Sequence, residues 1–412
     1  MRGKPLAKRE NTSMQTLKIL TRAAFLSAFA LAAMALLGRA PSPDSAAAKV
    51  APASPLQIAR EGYVFAGGKY SSANGPQMMS GQIYAEFQIP AARKRRYSIL
   101  MIHGGNQTGT NFTGTPDGRE GWAQFFLRQG YAVYVMDQAG RGRSAYQAGL
   151  YGQTAPPDLL STQKRFTAIE RYNLWPQAHL HTQWPGTGVA GDPVFDQFFA
   201  SQVPGIADYE QQQQLSTDGI VALLDKIGPS ILLTHSQSGP LGWLAADARP
   251  GLVKAVIAVE PNGPPFFNVD NVGAPEWFRE ASDMQRPWGI TAVPLHYSPA
   301  ASKPSDLEIA RQDKPDGQDL SRCRLQKDPP RQLPNLQKMP ILILTSESSY
   351  HAAYDHCTVK YMEQAGVRPK WVRLPDAGIH GNGHMMMLEK NSAEIAALMS
   401  KWLDGALPAP SK

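Results

Sequence analysis

Short apolar runs, bounded by turn residues and mostly followed by helical patterns, recur along this chain and restrict it to a sheet covered by helices on both faces. Residues 97–102 form such a run and enter His103-Gly104-Gly105. Trp122, Phe125, Phe126 and Leu127 are then spaced as a helix over residues 118–129, which Gly130 stops, and residues 131–136 follow as a second buried strand ending at Asp137. Strand, helix and strand in succession predict a right-handed parallel crossover. The alternation returns as a helix end at 220–227, a strand at 230–233, a helix at 241–248 and a strand at 253–259. It recurs as a strand at 341–344, a helix at 352–365, a strand at 370–374 and a closing helix at 393–403. Two earlier stretches, 62–65 and 82–89, flank a Gly/Ser/Asn-rich turn and read as an opening antiparallel pair. The expected fold class is α/β, with a mostly parallel, doubly wound sheet.

Two stretches break this rhythm: 144–205, rich in Gln, Pro and aromatics, and 261–338, rich in Pro and charge. Both leave the carboxyl ends of predicted strands, where open α/β sheets place their ligands, so they read as lid or cap insertions. With 412 residues and 42% hydrophobic content, the chain can bury the core of one large domain, over about 56–412.

Residues 1–48 have a different character. Arg2, Lys4, Lys8, Arg9, Lys18 and Arg22 precede an apolar run over 23–37, and the small residues Ala46-Ala47-Ala48 follow. That is the layout of a secretory leader, with an uncleaved N-terminal anchor as the alternative, and the run falls short of the ~20 residues of a membrane-spanning helix. The expected location is periplasmic or secreted, with no stable membrane association once the leader is removed.

This leader holds seven Lys/Arg against two Asp/Glu, which is five of the seven net positive charges of the chain. The remainder carries no basic stripe with interleaved aromatics, so no nucleic-acid partner is expected. Cys323 and Cys357 are the only cysteines. Export permits a disulfide between them, and two buried thiols are the alternative. Neither has a second cysteine at metal-ligand spacing, and no metal or cofactor is expected. Association with a second copy of the chain is left open.

The strongest chemical signal is Thr234-His235-Ser236-Gln237-Ser238-Gly239, between a predicted buried strand and a predicted helix. A nucleophile elbow needs a sharp strand-to-helix turn with small residues two before and two after the serine. Thr234 and Ser238 hold those places for Ser236, with Thr departing from the usual Gly. Reading Ser238 as nucleophile instead would make Pro240 start the helix too early. A serine hydroxyl needs a base, and His380 and His384 share the late loop Gly378-Ile-His-Gly-Asn-Gly-His-Met-Met-Met387. His384 is preferred because it stands at the mouth of the last helix.

An acid must orient that imidazole. Glu260 and Glu347 both follow predicted strands, and sheet geometry alone favours Glu347. Gly105 and Asn106 in the early loop, with the amide of Gln237, are the expected oxyanion donors, each typically worth ~3 kcal/mol. Arg141 and Arg143 are expected to pair with Asp117 or Asp137 rather than with substrate.

Asp117-Gly-Arg-Glu-Gly-Trp122, Asp137-Gln-Ala-Gly-Arg-Gly-Arg-Ser144, His235-Ser-Gln-Ser-Gly239, Val259-Glu-Pro261 and Gly381-Asn-Gly-His-Met-Met-Met387 together resemble the esterase 713-type branch of the α/β-hydrolases. The likeness runs from about residue 60 to the C-terminus. It implies an α/β-hydrolase fold and an acid in a Glu-Pro pair after the sixth strand, which selects Glu260 over Glu347. It also implies Ser236 as nucleophile and His384 as base. The branch carries paired cysteines in its oxyanion loop, where this chain has Gly105-Asn106, so no role of that pair carries over. The implied reaction is hydrolysis of a small-molecule carboxylic ester through an acyl-enzyme. Acyl transfer or lactone or amide cleavage would use the same residues, and a catalytically silent binding protein on this fold would have no reactive serine. Arg286-Pro-Trp-Gly-Ile-Thr-Ala-Val-Pro-Leu-His-Tyr297, Phe266, Phe267, Trp277 and Phe278 are expected chiefly to pack the cap.

Overall fold

The computed structural model describes residues 54–72 and 74–408, so the expected leader lies outside the described residues. Eight strands form the central sheet: β1 (Ile58–Ser71), β2 (Met78–Pro90), β3 (Ser98–Ile102), β4 (Val133–Asp137), β5 (Ser230–His235), β6 (Val253–Val259), β7 (Ile341–Thr345) and β8 (Lys370–Arg373). Their order is β1-β2-β4-β3-β5-β6-β7-β8. β2 pairs antiparallel with β1 and β4, and every other neighbouring pair is parallel.

The central strands read as unbroken apolar runs because both of their faces are buried. Successive residues point to opposite faces. Leu100, Ile102, Leu232, Val256 and Ile343 enter one core with helices α2 (Tyr209–Ile227) and α3 (Gly239–Ala248). Ile99, Met101, Leu233, Ile257 and Leu344 enter the other core with α1 (Trp122–Arg128) and α5 (Ser392–Ala406). Helix α4 (Asp355–Gln364) links β7 to β8 and adds Val359, Tyr361 and Met362 to the first core.

The elements differ from their sequence-predicted bounds for identifiable reasons. β1 extends well beyond 62–65, but most of its side chains are exposed, which erases the apolar pattern. α2 ends at Ile227, as expected from the helix end at 220–227, and begins at Tyr209, ahead of the stretch that the apolar pattern marked. Its first turns are rich in glutamine, yet Gln212 and Gln213 are fully buried. Gln213 accepts the Ala292 N–H at 2.9 Å, so a polar residue takes a core position by bonding to the second insertion.

Residues 144–205 contain short helices and a π-helical turn over Gln163–Thr167. Residues 261–338 contain a hairpin, Phe266–Gly273 with Trp277–Arg286, and a short pair, Ile309–Arg311 with Arg324–Gln326. Phe266 packs edge-on against Tyr361 of α4, and the Arg324 guanidinium lies over the Phe267 ring, so these aromatics seat the insertion on the core and pack it internally. Cys323 and Cys357 form a disulfide that ties this insertion to α4.

Candidate active site

At the end of β5 the chain turns sharply: Ser236 has φ 55°, a left-handed conformation that costs a non-glycine residue energy. A 3-10 turn, Ser236–Ser238, then leads into α3. Close approach of helix and strand requires space at this bend. The expected glycine two before the serine is Thr234, and the glycine is found on the facing helix instead: a Cβ on Gly242 would lie 2.8 Å from Thr234 Cγ2. Gly239 is equally constrained, since its Cβ would lie 2.4 Å from Pro261 Cβ. Ser236 and Gln237 remain partly accessible, whereas Ser238 is fully buried. The Ser238 hydroxyl accepts the His235 N–H at 2.9 Å and donates to the Ile102 carbonyl at 2.7 Å, a structural bridge between β3 and the turn.

His384 and Glu260 meet beside this turn. His384 Nδ1 lies 2.5 Å from Glu260 Oε2. The other carboxylate oxygen accepts the Ser346 N–H at 2.8 Å and its hydroxyl at 2.5 Å, and the Ser349 hydroxyl donates to Oε2 at 2.7 Å. Burial pushes the Glu260 carboxyl up, opposed by His351 and the bonds from Ser346 and Ser349. His384 is held well below the usual imidazole range by burial, and then by His351 and Arg165, so at neutral pH its ring is neutral. Its Nε2 faces the Tyr350 hydroxyl at 3.3 Å, and that hydroxyl lies beside the Ser236 side chain. Phe166 stacks on one side of the imidazole with centroids 5.4 Å apart, and His351 stacks at 4.8 Å.

The alternative acid and base find each other elsewhere. Glu347 accepts from His380 Nδ1 at 2.9 Å and from the Gly381 N–H at 2.7 Å, and His380 is largely exposed.

In the early loop, the Gly104 carbonyl accepts from Arg141 Nη1 and His103 Nδ1, both at 2.9 Å. Carbonyl and amide point in opposite directions in a trans peptide. Anchoring this oxygen therefore turns the Gly105 N–H the other way. Gly104 is obligatory, because a Cβ there would lie 2.9 Å from His235 Nδ1 and 3.1 Å from Ser236 Cβ. Asn106 has φ 57°, and its carbonyl accepts the Val203 N–H of the first insertion at 2.9 Å. Burial lowers Arg141 to about 10, which leaves a cation beneath the loop at neutral pH. Arg141 thus pairs with neither expected aspartate. Arg143 does bind Asp137, at 2.8 Å, and also Glu86, at 2.7 Å, while Asp117 pairs with Arg119.

The loop carrying His384 is braced by groups without an obvious sequence signal. Glu389 accepts from Asn382 Nδ2 at 2.7 Å, the Gly383 N–H at 2.9 Å and His181 Nε2 at 2.8 Å. His181, from the first insertion, also contacts Glu170 at 3.0 Å. Burial alone would lower the His181 pKa, but the bonds to Glu170 and Glu389 outweigh it and raise it to about 9. A raised folded-state pKa contributes stability that is complete below the unfolded value near 6.5 and is lost as pH rises through about 9. The midpoint of urea unfolding should therefore fall between pH 6.5 and 9, by on the order of 3 kcal/mol in stability. His181→Gln should flatten that profile; equal slopes for the two proteins would exclude the strut as its source.

Among the described residues, two clusters bring together metal-type donors: Cys323, His356 and Cys357, and Glu260, His351 and His384. The two cysteines are joined to each other, and Glu260 Oε2 is committed to His384 Nδ1.

Residues 99–398 match the family model described as the alpha/beta hydrolase family. The chain belongs to this family. A protein named as a probable secreted lipase, phiG, from Fungal sp. (strain ATCC 74256), is 44% identical to this α/β-hydrolase over 342 residues, 83% of this chain and 88% of that protein. The atomic-resolution structure of a bacterial esterase superposes with a TM-score of 0.56 at 25% identity, covering 86% of this hydrolase and 98% of that chain.

Proposed function

We propose that this carboxylic ester hydrolase works through an acyl-enzyme on Ser236, with His384 as general base and acid and Glu260 as the orienting carboxylate. In this reading the Ser236 hydroxyl attacks the ester carbonyl while its proton passes to His384 Nε2. The backbone N–H groups of Gly105, Asn106 and Gln237 receive the charge that develops on the carbonyl oxygen. Glu260 stabilises the imidazolium through Nδ1. The protonated His384 then donates to the leaving alcohol, and the acyl group stays on Ser236 until water, activated by the same imidazole, releases the acid.

The observation that carries this reading is the 2.5 Å contact between His384 Nδ1 and Glu260, made beside the strained turn that leaves Ser236 partly accessible. The anchored Gly104 carbonyl, which turns the Gly105 N–H the other way, supports the oxyanion assignment. The segments 144–205 and 261–338 act as the cap: Phe166 covers His384, and Val203 holds the oxyanion loop. The leader directs export, a reading supported by the Cys323–Cys357 disulfide, which suits an oxidising compartment, and by the relative named as secreted. No helix of the described residues is long and apolar enough to cross a membrane.

The test is pre-steady-state hydrolysis of p-nitrophenyl esters graded in acyl length. A burst of nitrophenolate stoichiometric with enzyme, followed by slower turnover, is expected for the best acyl chain. Isotope from labelled water appearing in the nitrophenol rather than in the acid would contradict attack at the carbonyl.

A further inference from the structure

Beside the site lies a cavity of about 610 Å³, bordered by Lys164, Arg165, Trp175, Asn262, Gly263 and Tyr354. Asn262 joins its wall to the nucleophile turn, since its N–H donates to the Ser236 carbonyl at 2.8 Å. Arg165 stands where the cavity approaches the imidazole: its guanidinium carbon is 4.3 Å from the Tyr350 ring centroid, and the Tyr350 hydroxyl is 3.3 Å from His384 Nε2. The π-helical turn over Gln163–Thr167 supplies this arrangement, presenting Phe166 to His384 and Arg165 to Tyr350. Such turns concentrate at functional sites.

We propose that Arg165 binds an ionised carboxylate carried by the ester substrate, so that the preferred substrates of this enzyme are esters bearing a second, free acid group. The inference rests on the triad reading above.

Arg165 makes no ion pair with a carboxylate among the described residues. Stacking on Tyr350 restrains the guanidinium while leaving its N–H edge available for a bidentate carboxylate. A second guanidinium reinforces the field. Arg286 is fully buried and donates to the Pro264 carbonyl and to Asn268 Oδ1, both at 2.7 Å. Asn268 belongs to the wall of the same cavity. Two carboxylates also border the space. Asp158 is engaged in capping, accepting the Ser161 N–H at 2.6 Å, and Asp270 is exposed on the hairpin.

Arg165 is also a cation close to a group that must become a cation. Left unpaired, it opposes formation of the His384 imidazolium, and a carboxylate bound to it removes that opposition. An acidic substrate would therefore gain in turnover as well as in binding, whereas a neutral ester of the same length would gain neither.

Two matched pairs test this: mono-p-nitrophenyl adipate against p-nitrophenyl hexanoate, with the charge on the acyl side, and 4-acetoxybenzoate against phenyl acetate, with the charge on the alcohol side. Wild-type enzyme should prefer the charged member of at least one pair. Arg165→Gln should lower kcat/KM for that member by about 10- to 100-fold, while its neutral partner is hydrolysed as fast as before or faster, because the unpaired cation no longer opposes the imidazolium. Arg165→Lys should retain part of the preference, and added salt should weaken it. A wild-type preference for the neutral member of both pairs, or an equal loss on all four esters in Arg165→Gln, would overturn the proposal. Fluorophosphonate labelling of Ser236 in Arg165→Gln at a rate no lower than wild type would show that the triad survives, which separates this failure from a failure of the triad reading. Turnover of none of the four esters by wild-type enzyme would overturn both.

Discussion

Ser236→Ala is expected to lower kcat for ester hydrolysis by roughly 10⁴- to 10⁶-fold without unfolding the protein. The residue sits at φ 55°, a conformation that strains alanine and serine alike, so the exchange leaves the backbone cost unchanged. What it removes is the atom proposed to form the acyl bond. The neighbouring serine provides the control. Ser238 is fully buried and bridges the His235 N–H to the Ile102 carbonyl. Ser238→Ala should therefore cost about 1–3 kcal/mol of stability through unpaired backbone groups, with a far smaller loss of activity in the folded fraction. A Ser238→Ala enzyme as inactive as Ser236→Ala would place the nucleophile in the other register.

The second large effect concerns the acid. Glu260→Gln should reduce kcat by about 10³- to 10⁴-fold, because an amide facing Nδ1 neither fixes the required tautomer nor stabilises the imidazolium. Glu347→Gln should change kcat by less than about tenfold, since Glu347 binds the exposed His380 and the Gly381 N–H. Steady-state kinetics on the same ester decides between them. A larger loss in Glu347→Gln would reverse the assignment.

The sheet was legible because its central strands are buried on both faces and so carry uninterrupted apolar runs. β1 was only partly legible, since an edge strand with exposed side chains has no such run, and the front of α2 was hidden because buried glutamines resemble a surface segment. The turn at Ser236 announced itself through its strand–turn–helix context, and Gly242 explains how Thr234 is accommodated. Glu260 was not legible from spacing alone. Two carboxylates follow neighbouring strands, β6 and β7, and the resemblance to a known branch, rather than geometry, selected the one that meets His384. Tyr350, Phe166 and the Glu170–His181–Glu389 strut escaped notice because each acts through a contact between segments far apart in the chain. Arg141 was singled out for the wrong partner: its guanidinium serves the Gly104 carbonyl, a backbone acceptor that leaves no mark in side-chain chemistry.

All of this chemistry depends on the proposed activation of the Ser236 hydroxyl as nucleophile. Incubation of the folded wild-type protein with a fluorophosphonate, followed by peptide mapping, addresses it directly. A single phosphonyl adduct on Ser236, formed at a rate that His384→Ala abolishes, is the predicted result; an unlabelled Ser236 in enzyme that still hydrolyses esters would contradict the account.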